Sequence, residues 1–181
     1  MTAAAFPPFP DLSKLAFRKT DPSDHEGGGH CAGLPDGSLH GQWDLVLAQH
    51  IAAFDYLVDK AASGQDGWAL TRPVLFSAHH VCEVALKTAW VAHAGQSPKR
   101  GHHLEPHWTR LAKAGGLRHL DPPQINEARD FISLMAELTP DGQTTRYPMP
   151  GVDDLGATWC CLNSSGLRDA VYAFVARLEP R

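Results

Sequence analysis

Residues 76–96 read FSAHHVCEVALKTAWVAHAGQ, a run in which three histidines, a glutamate and a lysine interrupt an otherwise apolar segment. Imidazole changes charge near neutral pH, so His79, His80 and His93 could move protons or hold a metal, with Glu83 and Lys87 balancing them. On a helix, residues three, four and seven apart share a face, which groups His80, Glu83 and Lys87 and sends His79 and His93 to other sides. A zinc-protease motif needs two histidines four apart with a glutamate directly after the first. HHVCE lacks that order, so neither metal nor cofactor is expected here. Two electrostatic readings remain. Glu83 and Lys87 form an exposed i,i+4 pair, or Glu83 is buried and requires a cation from elsewhere, for which Arg146 of TTRYP is the candidate.

Other constellations are poorer. His25, His30 and Cys31 offer three loosely spaced ligands in a glycine-rich stretch with no fourth. Cys82 falls on the apolar face of its helix, where a thiol packs as a small core residue, and Trp159 reads as packing. There is no G-x-S-x-G, no phosphate-cradling glycine loop before a helix and no Rossmann fingerprint; EGGGH lacks a preceding strand. The four cysteines, Cys31, Cys82, Cys160 and Cys161, make no CxxC pair, and adjacent cysteines do not easily bridge. No disulfide framework is expected, and a reducing, cytoplasmic location is.

The 181 residues, 43% hydrophobic and 20% charged, suffice for one domain with its own core. A net charge of -4 excludes a global field that draws in nucleic acid, so any polyanion contact is local. Lys99, Arg100, His102, His103, Arg110, Lys113, Arg118 and His119 concentrate positive potential between residues 99 and 119, where Glu105 is the only acid. The start, MTAAAFPPFPDLSK, has no basic segment before an apolar one and does not read as a signal peptide. No run approaches the roughly 20 apolar residues that span a bilayer, so no membrane partner is expected.

These residues must be positioned by helices. Residues 1–40 are dense in Gly, Pro and Asp and read as an irregular arm or loop, whose Phe6, Phe9, Leu12, Leu15 and Phe17 could pin it to a surface. Residues 41–181 form the domain. Trp43, Leu47, Ile51, Phe54, Leu57, Val58 and Ala61 recur at helical spacing from Gln42, and SGQDG ends that helix. Thr71 caps a second helix with Pro73 in its first turn, running to Gly95. A third carries Leu104, Trp108, Leu111 and Ala112 and ends at Gly115-Gly116. Asp121 and Pro122-Pro123 open a fourth that stops before Pro140. PDGQTTRYPMPG and ATWCCLN suggest two short strands, a small β-hairpin before the last helix. Ser164 or Ser165 caps that helix, whose face carries Leu167, Val171, Phe174, Val175 and Leu178. The fold class expected is all-α, an antiparallel four- to five-helix bundle.

In order, SAHHVCEVALKTAWVAHAG, GHHLEPHWTRLAKAG, LTPDGQTTRYPMPG and a C-terminal helix resemble the HEPN superfamily (higher eukaryotes and prokaryotes nucleotide-binding). The resemblance covers residues 42–178 and rests on His80, Glu83, Leu86 and Lys87 on one helix, Gly101, His102, His103 and Leu104 opening the next, and the turn Arg146-Tyr147-Pro148. It implies a frequently dimeric bundle found in toxin-antitoxin, RNA-processing and antiviral defence systems, with RNA or a protein partner such as an antitoxin. Active members are metal-independent endoribonucleases that use an arginine followed after four to six residues by a histidine, the histidine moving protons and the arginine stabilising the phosphate. Arg72 with His79 and Arg100 with His107 have that spacing here, as does Arg18 with His25 in the arm, but proline follows Arg72 and glycine follows Arg100. His80, Glu83, Lys87, His102, Arg146 and Tyr147 are expected as a polar network, with His102 capping its helix or packing on the second helix. The leading expectation is a non-catalytic RNA-associated or interaction subunit. The alternatives are an active endoribonuclease and a structural subunit docked through its N-terminal arm.

Overall fold

The computed structural model describes residues 39–64, 67–139 and 162–179. They form five helices: α1 (Leu39–Ser63), α2 (Gly67–Ala94), α3 (Leu104–Ala114), α4 (Pro122–Leu138) and α5 (Ser164–Leu178). No strand occurs among the described residues. The arm expected over 1–40, apart from its last two residues in α1, lies outside them. So do Arg146, Tyr147 and nearly all of the expected hairpin.

The organising element is α2. Its residues 81–89 are buried without interruption, as befits a segment whose apolar side chains point in every direction rather than along one stripe. It packs along α1 and also touches α3 and α5, while α4 rests on α3 and α5. Phe54 and Val58 of α1, Val81, Ala85 and Leu86 of α2, Leu104 and Leu111 of α3, Ile132 and Met135 of α4, and Val171 and Phe174 of α5 share one core. Each large side chain buried there contributes about 1.5–3 kcal/mol. The Phe174 ring sits 6.2 Å from that of Trp108 and 5.5 Å from that of Phe131, tying α5 to α3 and α4. Polar links finish its docking: Arg168 donates to Asp59 at 2.6 Å and Tyr172 to Asp55 at 2.6 Å.

Helix ends follow local chemistry, with two corrections. At α4 the Asp121 carboxylate accepts from the Gln124 backbone N–H, and the Gln124 side chain accepts from the Asp121 N–H, a complete capping box. The α5 cap is Asn163, whose Oδ1 accepts from Gly166 N–H at 3.0 Å, and not Ser164 or Ser165. Asn163 reaches the free N–H groups from just outside the helix, while both serines lie within its first turn. The second correction concerns α2, which begins at Gly67 and runs through Pro73. Thr71 is thus inside the helix, its hydroxyl donating to the Gly67 carbonyl at 3.5 Å. Pro73 is tolerated because it and Ala69 are exposed, so water can serve the Ala69 carbonyl that proline cannot. Glycine is required at the α2 start, since a Cβ on Gly67 would lie 2.6 Å from the Ala61 carbonyl oxygen. Among the described residues no helix is long and apolar enough to cross a membrane.

Candidate functional site

The polar residues of α2 converge on Glu83, which is 2% exposed. One helical turn places Lys87 above it and His80 below it. Lys87 Nζ donates to Oε1 at 2.5 Å, and His80 Nδ1 lies 3.5 Å from Oε2. His102, from the connector ahead of α3, donates from Nδ1 to Oε2 at 3.2 Å. Burial alone would raise the Glu83 carboxyl, but His80, Lys87 and His102 more than reverse that, so its pKa lies far below the usual carboxylate range. The site is therefore a buried ion pair with imidazoles on its second oxygen. Among the described residues, three cationic or imidazole partners satisfy Glu83. Arg146, named from sequence as its counter-ion, lies outside those residues.

The neighbouring histidines hold the connector in place. His79, 1% exposed, has Nε2 at 2.8 Å from the His102 carbonyl and Nδ1 at 2.6 Å from the Thr139 hydroxyl. His107 donates from Nε2 to the Gly101 carbonyl at 3.1 Å. Two consecutive carbonyls, on Gly101 and His102, thus each receive an imidazole N–H, one from α3 and one from α2. Gly101 has φ +125°, a conformation open to glycine, which turns the chain so that His102 can face Glu83. His103, and not His102, occupies the N-cap position of α3, without a side-chain capping bond. His102 is thus a packing residue on α2 and not a cap. On the far side of His80, the His50 ring of α1 meets it edge-on at 4.3 Å, and Phe76 stacks on it at 5.8 Å.

Proton positions follow from these contacts. Burial lowers the pKa of His79, so the neutral ring carries its proton on Nε2, directed at the His102 carbonyl. The Thr139 hydroxyl then donates to Nδ1. The same hydroxyl lies 2.6 Å from the Met135 carbonyl, which accepts the Thr139 N–H at 2.9 Å and offers the hydroxyl a second acceptor. Neither nitrogen of His79 is left to act on a ligand. Arg72 is exposed, about two helical turns away at 1.5 Å per residue. The side of α2 that is open at Arg72 is covered at His79 by the His102 carbonyl and Thr139. His107 is 9% exposed, and Arg100 is exposed in the connector next to Gly101. His102 differs from these. Its side chain is 51% exposed, and the buried Glu83 carboxylate holds its Nδ1 at 3.2 Å.

Beside this network lies a cleft of about 460 Å³. Gln42, Trp43 and Val46 of α1 form one wall, Lys87 of α2 another, and Ser97, Pro98, Lys99 and Arg100 of the connector the rim. In the sequence Lys99 and Arg100 belong to a basic stretch. Their juxtaposition with Gln42 and Trp43, more than fifty residues earlier, has no sequence signal. His50 and Thr139 were likewise not singled out, because nothing local marks the residues that face them.

The same contacts set the pH dependence. Burial lowers the pKa of His79, His107 and His50, with His80 adding to the effect at His50. The unfolded chain therefore binds more protons than the folded one once pH drops below the ordinary histidine value of 6.5. Stability from these groups is complete above that value and is lost as pH falls through their lower folded pKa values. Glu83 adds a second loss, beginning at its ordinary value of 4.5 and continuing toward its depressed one. Urea midpoints taken from about pH 8 to about pH 4 are expected to be flat at first, then fall below pH 6.5 and steepen below pH 4.5. A midpoint that rises on acidification would reject the buried neutral histidines.

Compared with family models, with curated proteins and with solved structures, the chain finds no significant match.

Proposed function

We propose that this chain is a HEPN-like antiparallel helical bundle that acts as a non-catalytic, RNA-associated or protein-interaction subunit, of the kind found in bacterial defence and toxin-antitoxin systems, and that it works as a homodimer. The observation that carries the non-catalytic reading is the use of the histidines. His79 and His107 spend ring N–H groups on the connector carbonyls of His102 and Gly101, and His80 lies against the buried Glu83. A histidine that moves a substrate's proton must reach that substrate, and His79 has neither exposure nor a free nitrogen. For the RNA-associated half, the support is the basic stretch over residues 99–119, in which Lys99, Arg100, Lys113, Arg118 and His119 are all exposed and Arg110 lies 5.7 Å over the Trp90 ring. Phosphate contacts of that kind weaken steeply with salt.

A second reading, an active metal-independent endoribonuclease, is favoured by one contact: His107 bonds the carbonyl of the residue that follows Arg100. Incubating labelled RNA with the purified protein in EDTA separates the two readings, with Arg100→Ala, His102→Ala, His107→Ala and His79→Ala run at equal folded concentration. The proposal expects no cleavage above buffer and salt-sensitive retention of RNA, or a co-purifying protein partner, by a dimer in light scattering. Cleavage that disappears in one histidine variant would replace it with the enzyme reading and identify the histidine.

A further inference from the structure

We propose that the cleft between α1, α2 and the 95–103 connector is a binding site for a phosphate monoester carried by a molecule with a flat or apolar group beside it. Charge decides the class of ligand. Three cations line the cleft: Lys87, Lys99 and Arg100. Lys87 is neutralised by Glu83 at 2.5 Å, while Lys99 and Arg100 have no acidic partner among the described residues. The uncompensated charge is therefore +2, from one lysine and one arginine. A phosphate monoester, whose second pKa is about 6, carries close to two negative charges near neutral pH, whereas a carboxylate carries one.

Geometry supports the same assignment. Arg100 presents a planar fork suited to two phosphate oxygens, and Lys99 a compact point charge. Lys87, whose side chain is 11% exposed, also lines the cleft, and its ammonium keeps N–H groups beyond the one given to Glu83. Ser97 and Gln42 add uncharged donors at the boundary. The lining also includes Trp43 and Val46, whose apolar surfaces suit a ring or hydrocarbon. The volume, about 460 Å³, is in the range of small-molecule sites. The assignment does not rest on the RNA-associated reading, because it requires one doubly charged group and not a polynucleotide. That group could belong to a free small molecule or to the 5′ end of an RNA.

The test is calorimetric titration of the full chain with phenyl phosphate, benzoate and inorganic phosphate. Phenyl phosphate is expected to bind at least about tenfold more tightly than benzoate, which keeps the ring and halves the charge, and more tightly than inorganic phosphate, which lacks the ring. The double substitution Lys99→Ala/Arg100→Ala lies outside every helix at exposed positions, so it leaves helix content unchanged and should weaken phenyl phosphate by about ten- to a hundredfold. Arg129→Ala, at an exposed position on α4 outside the cleft lining, should leave it unchanged. A 5′-phosphorylated ribo-oligonucleotide that displaces phenyl phosphate, where its 5′-hydroxyl counterpart does not, identifies an RNA end as the source. Failure of the phosphorylated form to compete identifies a free small molecule. The proposal is overturned by no saturable heat with phenyl phosphate at about 10 mM, by benzoate binding as tightly, by unchanged affinity in the double variant, or by equal competition from the 5′-hydroxyl oligonucleotide.

Discussion

Replacing Glu83 with alanine is expected to lower the stability of the folded chain by about 3–5 kcal/mol, read from urea unfolding at neutral pH. The carboxylate is 2% exposed and holds the ammonium of Lys87 at 2.5 Å. Its removal leaves a buried cation without a counter-charge and His102 without its anchor, and the desolvation already incurred by Lys87 is no longer offset. An exposed i,i+4 pair would cost only a few tenths of a kcal/mol, so the size of the loss decides between the two readings that the sequence allowed. Removing both charges together, as in Glu83→Met/Lys87→Met, should restore much of the loss, because the apolar pair needs no compensation. A double variant as unstable as Glu83→Ala would mean that the carboxylate's bonds to His80 and His102 dominate over the ion pair.

His79→Ala should cost about 2–4 kcal/mol, from the cavity left by a fully buried ring together with the orphaned His102 carbonyl. The Thr139 hydroxyl limits the damage, because it can turn to the Met135 carbonyl 2.6 Å away. Thr139→Val should accordingly cost less than His79→Ala, and His79→Gln, which can still offer an N–H to His102, should fall between wild type and His79→Ala. Hydrogen exchange adds a readout that bulk stability does not supply. Amides of the 101–106 segment should lose protection ahead of those in the centre of α2, since the ring clamps the connector rather than the helix. Equal loss across both segments would indicate that His79 acts only by filling space. A drop in RNA cleavage with stability unchanged would return His79 to a catalytic role.

Much of the fold was legible because its signals are local. Asp121 with Pro122-Pro123 announces α4, Gly115 with φ +84° closes α3, and the spacing from Trp43 to Ala61 describes the inner face of α1. Local signals also produced the errors. Thr71 and Pro73 mark a helix start by themselves, and only the exposure of Ala69 and Pro73 allows the helix to continue back to Gly67. Ser164 and Ser165 are good caps, but Asn163 stands one residue earlier and takes the position.

For the candidate site, the sequence by itself determined that His80, Glu83 and Lys87 lie on one face of a helix, because helical periodicity is a property of the chain. It also determined that Lys99 and Arg100 belong to a basic stretch. Only the tertiary structure decided that this face is buried, that His102 supplies a third partner, that His79 clamps a carbonyl 23 residues away, and that two cations of the connector line one cleft with Trp43 of α1. Burial and long-range pairing depend on which helices enclose α2, and an apolar segment with scattered polar residues specifies that it is enclosed without specifying by what. The environment of a titratable group sets its charge and reach, so the chemistry of these histidines follows from packing rather than from spacing.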